Sequence, residues 1–589
     1  MTKCLLIFLL SFPVWVFSQP LQIVWDPVDK QAAFIKDHFS VPDQVDSSAL
    51  LKEMGNLLLE MWGKGYLEAS VDSFFCMNSL CTVFVHCGPQ YEWGSVRLSE
   101  FPDGAKSKDD QTRMDGQVFS SRALTQRLET WLTSAERAGF PFARLRLDSL
   151  AVQPGSLYGL YVIEPGEQVR LDEILTEGDV SIHSSFLKNY LGLTRGDLFH
   201  TSAILEAERR MDALPFIRQT ARPSVSILGP SAIATFYLEK RSSNRFDILL
   251  GLVPSTIENR RFDLTGDVNI TLLNALQRGE GIRINFENLR PATQKMEIAL
   301  TYPYLLGSPL GIDLQLDLFR RDSTYLDLDY EVGFQYLFRG DNFIKFFVRR
   351  EESSLLTVNE ASIIASGNLP KNLDIVYKGL GIEIQTHRLD YRFNPRQGWS
   401  GAAKFIAGRR KIIKNSKILD LQDPTDSLFD ANTLYDSIGL EINKFQVTSA
   451  ISQYFPIFRQ STVKLGITGG IQLSKGQFFE NELFRIGGTR ILRGFDEQAI
   501  FTSRYLIATV EYRILFSQNS NVFAFSDWGW VTYRSGDSEI SDLLTGVGIG
   551  LNLETRIGIF GVSYALGKFP GESLSFRSGK IHFGMVSLF

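Results

Sequence analysis

The residue best equipped for a specific task is Arg493, in the stretch Gly487-Gly488-Thr489-Arg490-Ile491-Leu492-Arg493-Gly494-Phe495. A guanidinium is a rigid fork of donors suited to carboxylates, and glycines permit backbone angles and close approaches that other residues forbid. The segment from Gln477 to Thr502 reads as a loop between two strand-like stretches, built to dock against something. For the tripeptide alone, an ordinary surface loop is the plainer reading. Other candidate chemistry is thin. The six histidines, His38, His86, His183, His200, His387 and His582, make no metal-ligand spacing and read as surface or packing residues. With no nucleophile elbow or phosphate loop in the sequence, the expectation is no enzyme, no cofactor and no metal.

The elements that must position such a loop divide the chain in two. At 589 residues it is too long for one ordinary core. It is 44% hydrophobic and 22% charged with net charge -5, which makes no electrostatic case for nucleic acid. No internal apolar run approaches the ~20 residues of a spanning helix, so any crossing of a membrane would be made by strands. Residues 1–18 read as a signal peptide, with Lys3, an apolar run from Leu5 to Phe17 broken by Pro13, and Ser18 at the expected cleavage point; a retained anchor is the alternative. The mature chain keeps Cys76, Cys81 and Cys87, an odd number for an oxidising compartment. A Cys76 to Cys81 link across a turn, with Cys87 buried or free, is one arrangement that the sequence leaves open.

Residues 19–242 repeat at roughly 75-residue spacing. Leu50, Leu51, Met54, Leu57, Leu58 and Met61 form a helical stripe followed by Gly65-Tyr66-Leu67-Glu68-Ala69. Leu124, Leu128, Trp131, Leu132 and Ala135 repeat it before Gly139-Phe140-Pro141-Phe142-Ala143. A weaker third stripe, Ile204, Ala207, Met211 and Leu214, lacks the Gly-aromatic pair. Each unit reads as a strand, helices, then two strands, with the glycine closing the helix. The units, 19–92, 93–167 and 168–242, resemble polypeptide-transport-associated (POTRA) domains, which implies binding of clients or partners by strand addition to a sheet edge. Three generic α+β domains are the alternative.

Residues 243–589 alternate apolar and polar with a period of two, as strands with one apolar face do. Leu326, Leu328, Tyr330, Val332, Phe334 and Tyr336 oppose Asp327, Asp329, Glu331 and Gln335. The segmentation gives sixteen strands starting near residues 244, 261, 280, 293, 310, 325, 342, 374, 398, 433, 461, 503, 520, 543, 556 and 579. If the chain enters the barrel from the periplasm, even-to-odd connections should be short and odd-to-even ones can be long, and that is roughly the pattern: 339–341, 456–460 and 517–519 are short, while 351–373, 412–433 and 477–502 are long. The stretch 437–454 could hide a bulge or break. The predicted fold class is therefore α+β repeats followed by an all-β, 16-stranded antiparallel transmembrane β-barrel; a soluble β-sandwich is the competing arrangement.

Three such repeats, a sixteen-stranded barrel and an Arg-Gly-Phe loop between the eleventh and twelfth strands together resemble the outer-membrane protein assembly superfamily of BamA, TamA and Sam-type proteins, with a layout nearest the TamA-like branch. The resemblance implies that the loop folds back into the lumen and places Arg493, Gly494 and Phe495, preceded by Gly487 and Gly488, at its inner tip. An arginine there must meet carboxylates, since an unpaired buried charge is costly. Glu511 faces inward by the alternation of Leu506, Ala508, Val510, Tyr512 and Ile514. Asp527, in Phe525-Ser526-Asp527-Trp528-Gly529, faces inward by resemblance, its own alternation being poor. Asp390, Pro395 and Gly398 resemble the family's periplasmic turn, and the terminal Phe589 its C-terminal assembly signal, though Ser587 departs from it. The glycines Gly546, Gly548, Gly550, Gly558, Gly561 and Gly567 suggest thin, bendable strands next to a seam. The implied role is an outer-membrane insertase with its POTRA-like domains in the periplasm, with unfolded outer-membrane clients, outer-membrane lipids and a periplasmic or inner-membrane accessory protein as partners. A two-partner exporter, a lipid-delivery partner and a passive channel are the alternatives. The exporter branch typically has two POTRA units and a plug helix, whereas this sequence shows three units and no plug.

Overall fold

The computed structural model describes residues 21–99, 115–241, 243–254, 262–290, 293–321, 323–338, 340, 342–391, 394–422, 429–488, 491–496, 498–535, 538–555 and 558–586. It falls into two compact units, one holding residues up to 173 with 196–201 and 226–233, and the other the rest of the chain from 174.

In the first repeat, strand β1 (Leu21–Pro27), helix α1 (Phe34–His38), strand β2 (Gln44–Val45), helix α2 (Leu50–Gly63) and strands β3 (Ser70–Met77) and β4 (Leu80–His86) build a sheet of order β2-β1-β4-β3. The α2 stripe buries Leu50, Met54, Leu57 and Met61 against Ile23, Trp25, Val83 and Val85 of that sheet. In the second repeat, β5 (Glu92–Leu98), α3 (Ser121–Arg137), β6 (Arg144–Gln153) and β7 (Ser156–Glu164) give the order β5-β7-β6. Both helices close as the shared signature demands: Tyr66 N donates to Met61 O at 3.0 Å and Phe140 N to Ala135 O at 3.0 Å, around left-handed Gly65 and Gly139. The third repeat contains β8 (Arg170–Gly178), α4 (Ser184–Leu191), α5 (Thr201–Asp212), β9 (Ile217–Gln219), β10 (Ser224–Leu228) and β11 (Ser231–Lys240), its sheet ordered β10-β11-β8 with β9 pairing β11. Helix α4 belongs to the barrel unit. Phe186 stacks edge-on against Tyr304 at 5.5 Å, Asn189 Nδ2 donates to Gly307 O at 2.9 Å, and Gly340 N donates to Tyr190 O at 3.0 Å.

Cys76 and Cys81 face each other across the β3–β4 hairpin and form a disulphide, while Cys87 is a free, buried thiol. Burial, with the nearby Asp29 carboxylate, pushes that thiol up to about 11.

The alternating half forms one sheet of sixteen strands in sequence order, each antiparallel to the next, from Arg245–Pro254 to Lys580–Val586. Fourteen of the sixteen expected starts lie within two residues of those observed. The tenth strand, expected near 433, begins at Glu441, because Ala431–Tyr435 is a 3-10 turn whose buried Tyr435 belongs to a small core shared by the long connections. The fourteenth, expected near 543, begins at Ser538. No break interrupts 441–454; the irregularity is a register shift at Pro456/Phe458, so the short turn expected at 456–460 lies at 459–460. Among the described residues the first and last strands do not pair.

Burial along these strands is inverted relative to a water-soluble sheet. On the sixth strand (Tyr325–Leu337), Val332 and Phe334 are 48% and 61% exposed, while Glu331 and Gln335 on either side of them are 4% and 3% exposed. Inward charges are matched: Lys345 Nζ lies 2.7 Å from Glu331, 3.1 Å from Asp313 and 2.9 Å from Glu383, and Lys404 Nζ lies 2.6 Å from Glu331. An apolar outer belt around a paired polar interior is the pattern of a barrel in lipid. It excludes the sandwich, which would bury those outer faces on each other.

In the first repeat the Asp29 carboxylate accepts from Cys87 N and Gly88 N, both at 2.8 Å. Burial raises its pKa, but these donors and the nearby His86 outweigh it and hold the group below its ordinary 3.8. Because the folded-state pKa is depressed, this stabilisation is full above the ordinary value and is lost as pH falls through the folded value. Asp29→Asn is expected to weaken both bonds, raise exchange of the Cys87 and Gly88 amides roughly tenfold, and remove that acid dependence. Hydrogen exchange on the full chain measures both effects.

Candidate functional site

The site is the connection between the eleventh strand (Ser461–Ser474) and the twelfth (Arg504–Leu515), and the inner wall that receives it. Within the connection, Phe484–Ile486 pairs with Ile500–Thr502 as a short hairpin that carries the tip inward. The tip brings its own apolar surface: Ile486, Leu492 and Phe495 pack on Ile507, Val531 and Leu544 of the twelfth, thirteenth (Asn521–Ser535) and fourteenth (Ser538–Thr555) strands. This patch explains why the thirteenth strand alternates poorly. Its inward face must be apolar where the loop lies against it.

Arg493 occupies the centre. Its Nε and Nη2 donate to Oδ2 and Oδ1 of Asp527 at 2.9 and 2.8 Å, its backbone N donates to Asp527 Oδ2 at 3.1 Å, and its Nη1 donates to Glu511 Oε2 at 2.6 Å. The guanidinium also lies 3.5 Å from the centre of the Phe525 ring, a cation–π contact that strengthens when water is excluded. Thr509 Oγ1 donates to Asp527 Oδ1 at 2.9 Å. The side chains of Arg493, Glu511 and Asp527 are 14%, 6% and 2% exposed, so this is a buried bidentate pair with a second carboxylate attached. Both carboxylates singled out in the sequence therefore face the bore and meet Arg493.

Glycine makes the docking sterically available. Gly494 has φ 97°, and a Cβ there would lie 2.7 Å from Gly567 N; one on Gly546 would lie 2.0 Å from Arg493 O. The glycines near the C-terminus, read from sequence as bending points, include two that make room for the loop. Gly487 and Gly488 are also left-handed, at φ 107° and 111°, where the chain turns toward the tip.

The Asp390 turn is wired to the same cluster through a residue that sequence reasoning passed over. Asp390 Oδ1 accepts from Tyr391 N, Arg396 N and Gln397 N at 2.9, 3.0 and 3.1 Å, closing the turn before Gly398 at φ 108°. Pro395 lies in that turn, next to the buried Asn394. Asn394 Oδ1 accepts from Arg513 Nη1 at 3.3 Å, and Arg513 Nε donates to the second oxygen of Glu511 at 2.7 Å. A polar chain thus runs from Arg493 through Glu511 and Arg513 to Asn394.

A second anchor holds the root of the loop and carried no motif. Arg410 on the ninth strand (Gly398–Ile413) donates to Glu482 Oε2 at 3.0 Å, Gln477 O at 2.7 Å and Gly439 O at 3.0 Å. Lys444 on the tenth lies 3.5 Å from Glu482 Oε1. Arg410 lies within the basic run Arg409-Arg410-Lys411 and Lys444 on a mixed polar strand, so no local pattern set either apart. His582, which the sequence presents as a surface or packing residue, is half-buried and also meets the loop: its Nε2 accepts from Gly494 N at 3.2 Å. Phe589 lies outside the described residues, as do residues 1–18.

An inverted sheet of sixteen strands following α+β repeats in the chain, with an arginine loop drawn into its interior, defines an outer-membrane type of β-barrel protein. The chain belongs to the Omp85 superfamily, whose domain matches residues 274–585. Similar solved structures include BamA from Haemophilus ducreyi lacking POTRA domains 1-3, with 15% identity over 84% of this chain and 98% of that one and a TM-score of 0.41. They also include CdiB from Acinetobacter baumannii, with 12% identity over 94% and 99% and a TM-score of 0.48, and CdiB from Escherichia coli, with 16% identity over 94% and 97% and a TM-score of 0.45. No curated protein matches the sequence.

Removing one member of a buried ion pair costs about 3–5 kcal/mol. Asp527→Asn and Arg493→Ala are each expected to detach the tip, read as new protease cleavage within 485–500 of the membrane-embedded protein. Arg493→Lys should rescue only in part, because an ammonium lacks the planar fork. Gly546→Ala should release the tip while leaving every charge in place; an undisturbed cleavage pattern in that variant would refute the close-approach argument.

Proposed function

We propose that this protein is an outer-membrane insertase that assembles β-barrel or autotransporter-type clients without chemical catalysis, by strand addition at a lateral seam between its first and last strands. The observation that carries the reading is the edge at that seam. The final strand, Lys580–Val586, pairs with the fifteenth (Gly558–Lys568) across Ile559–Ala565, and among the described residues it has no partner on its other side. Unpaired strand edges are templates for another strand, and a bilayer thinned by a short wall lowers the barrier to entry. The POTRA-like repeats would stand in the periplasm and offer further edges. Strand β3 lies at the edge of its sheet and exposes Phe74, Phe75 and Met77, suited to extended apolar clients and to an accessory protein.

Two experiments test this. A cysteine in Arg245–Pro254 linked to one in Lys580–Val586 should stop client assembly, with recovery on reduction; normal assembly by the locked protein would refute the seam. Depleting the protein and surveying the outer membrane should remove many β-barrel proteins. Loss of one secreted product alone would indicate an exporter, and altered lipid with intact proteins a lipid-delivery partner.

A further inference from the structure

We propose that the loop tip clamps the final strand through His582 and Lys580, so that release of the Arg493 loop and loosening of that strand are one event. This rests on the seam reading and gives it a control element.

The three residues of the tip divide their contacts around the inner wall. Arg493 binds the twelfth and thirteenth strands, as described. Gly494 lies on the fifteenth and sixteenth: its N–H donates to His582 Nε2 at 3.2 Å, and a Cβ on Gly567 would lie 2.4 Å from Gly494 O. For Nε2 to accept, the neutral ring must carry its proton on Nδ1. Phe495 meets Phe569, just past the fifteenth strand, edge to face with centroids 5.0 Å apart. Asp496 Oδ1 then lies 2.7 Å from Lys580 Nζ at the start of the final strand. That pair is exposed, at 69% and 40%, so it orients the tip more than it binds it; the holding falls to the Gly494 contacts.

His582 and Lys580 are both on the strand that borders the seam. Its ladder to the fifteenth strand, seven residues long, is one restraint, and the loop tip adds another. The buried Arg493 cluster therefore reaches the seam strand through the peptide of Gly494. A signal that displaces the loop would loosen the strand a client must bypass, with no rearrangement of the rest of the wall.

The test is hydrogen exchange by mass spectrometry on the full-length protein in lipid nanodiscs. Arg493→Ala should raise exchange in 580–586 about tenfold, with the eighth and ninth strands unchanged. If Arg493→Ala instead raises exchange throughout the barrel, it reports a folding defect and the second variant decides. That variant, Asp496→Ala with His582→Ala, keeps Arg493 and both carboxylates. It should raise exchange in 491–496 and 580–586 while 504–535 stays protected, and replacing His582→Ala in it by His582→Gln, which restores an acceptor, should recover part of the protection. Unchanged exchange of the final strand in this variant overturns the clamp. Client assembly measured on the same samples separates the two ideas: a strand that loosens without any effect on assembly leaves the clamp standing and removes the seam from the function.

Discussion

A positive charge inside the bore of a membrane barrel must be matched, and the architecture of the C-terminal half follows from how Arg493 is matched. Its partners come from two strands, Glu511 from the twelfth and Asp527 from the thirteenth. One guanidinium therefore fixes the loop and the two neighbouring strands together. Away from bulk water the pair cannot be replaced by solvation, so the tip has one docked position rather than a range of them.

That position makes demands on the wall. The barrel interior is polar over most of its surface, with Lys345, Glu331, Asp313 and Glu383 satisfying one another. Where the loop lies, the wall is instead apolar and thin: Ile507, Val531 and Leu544 receive Leu492 and Phe495, and Gly546 and Gly567 leave room for backbone. The loop is also held far from its tip. Arg410 ties Glu482, Gln477 and Gly439 into one knot on the ninth and tenth strands, and Arg485 reaches Asp327 on the sixth at 3.2 Å. Root and tip thus lie on different arcs of the wall, which lets a single loop brace the cylinder from inside.

The N-terminal half solves a smaller problem. Each repeat lays one amphipathic helix or helix pair on a short sheet, with modest cores such as that around Met61 and Trp25. In the first repeat, a disulphide across the β3–β4 hairpin and the Asp29 clamp on Cys87 and Gly88 add local restraint next to an exposed edge strand. Rigid edges suit strand addition, because less order must be imposed when a partner arrives.

Period-two alternation determined the strand count and most strand starts without any knowledge of the fold, because in a lipid barrel each side chain must choose lipid or lumen. It also determined the direction of Glu511, and the helical stripes, two of them with Gly-aromatic closures, determined the N-terminal repeats. Alternation failed at the thirteenth strand, where Phe525 turns inward to face the Arg493 guanidinium, and at the tenth, where a buried 3-10 turn imitates the start of a strand. Only the tertiary structure decided which residues far apart in the chain converge: Asn394 with Arg513, Arg410 with Glu482, and His582 with Gly494, separated by 119, 72 and 88 positions. Such pairs leave no local pattern, since strand register and the path of a loop through the bore place them together and no periodicity encodes either. The same holds for the glycines at 546 and 567: composition shows that they are small, and only the docked loop shows what the space is for.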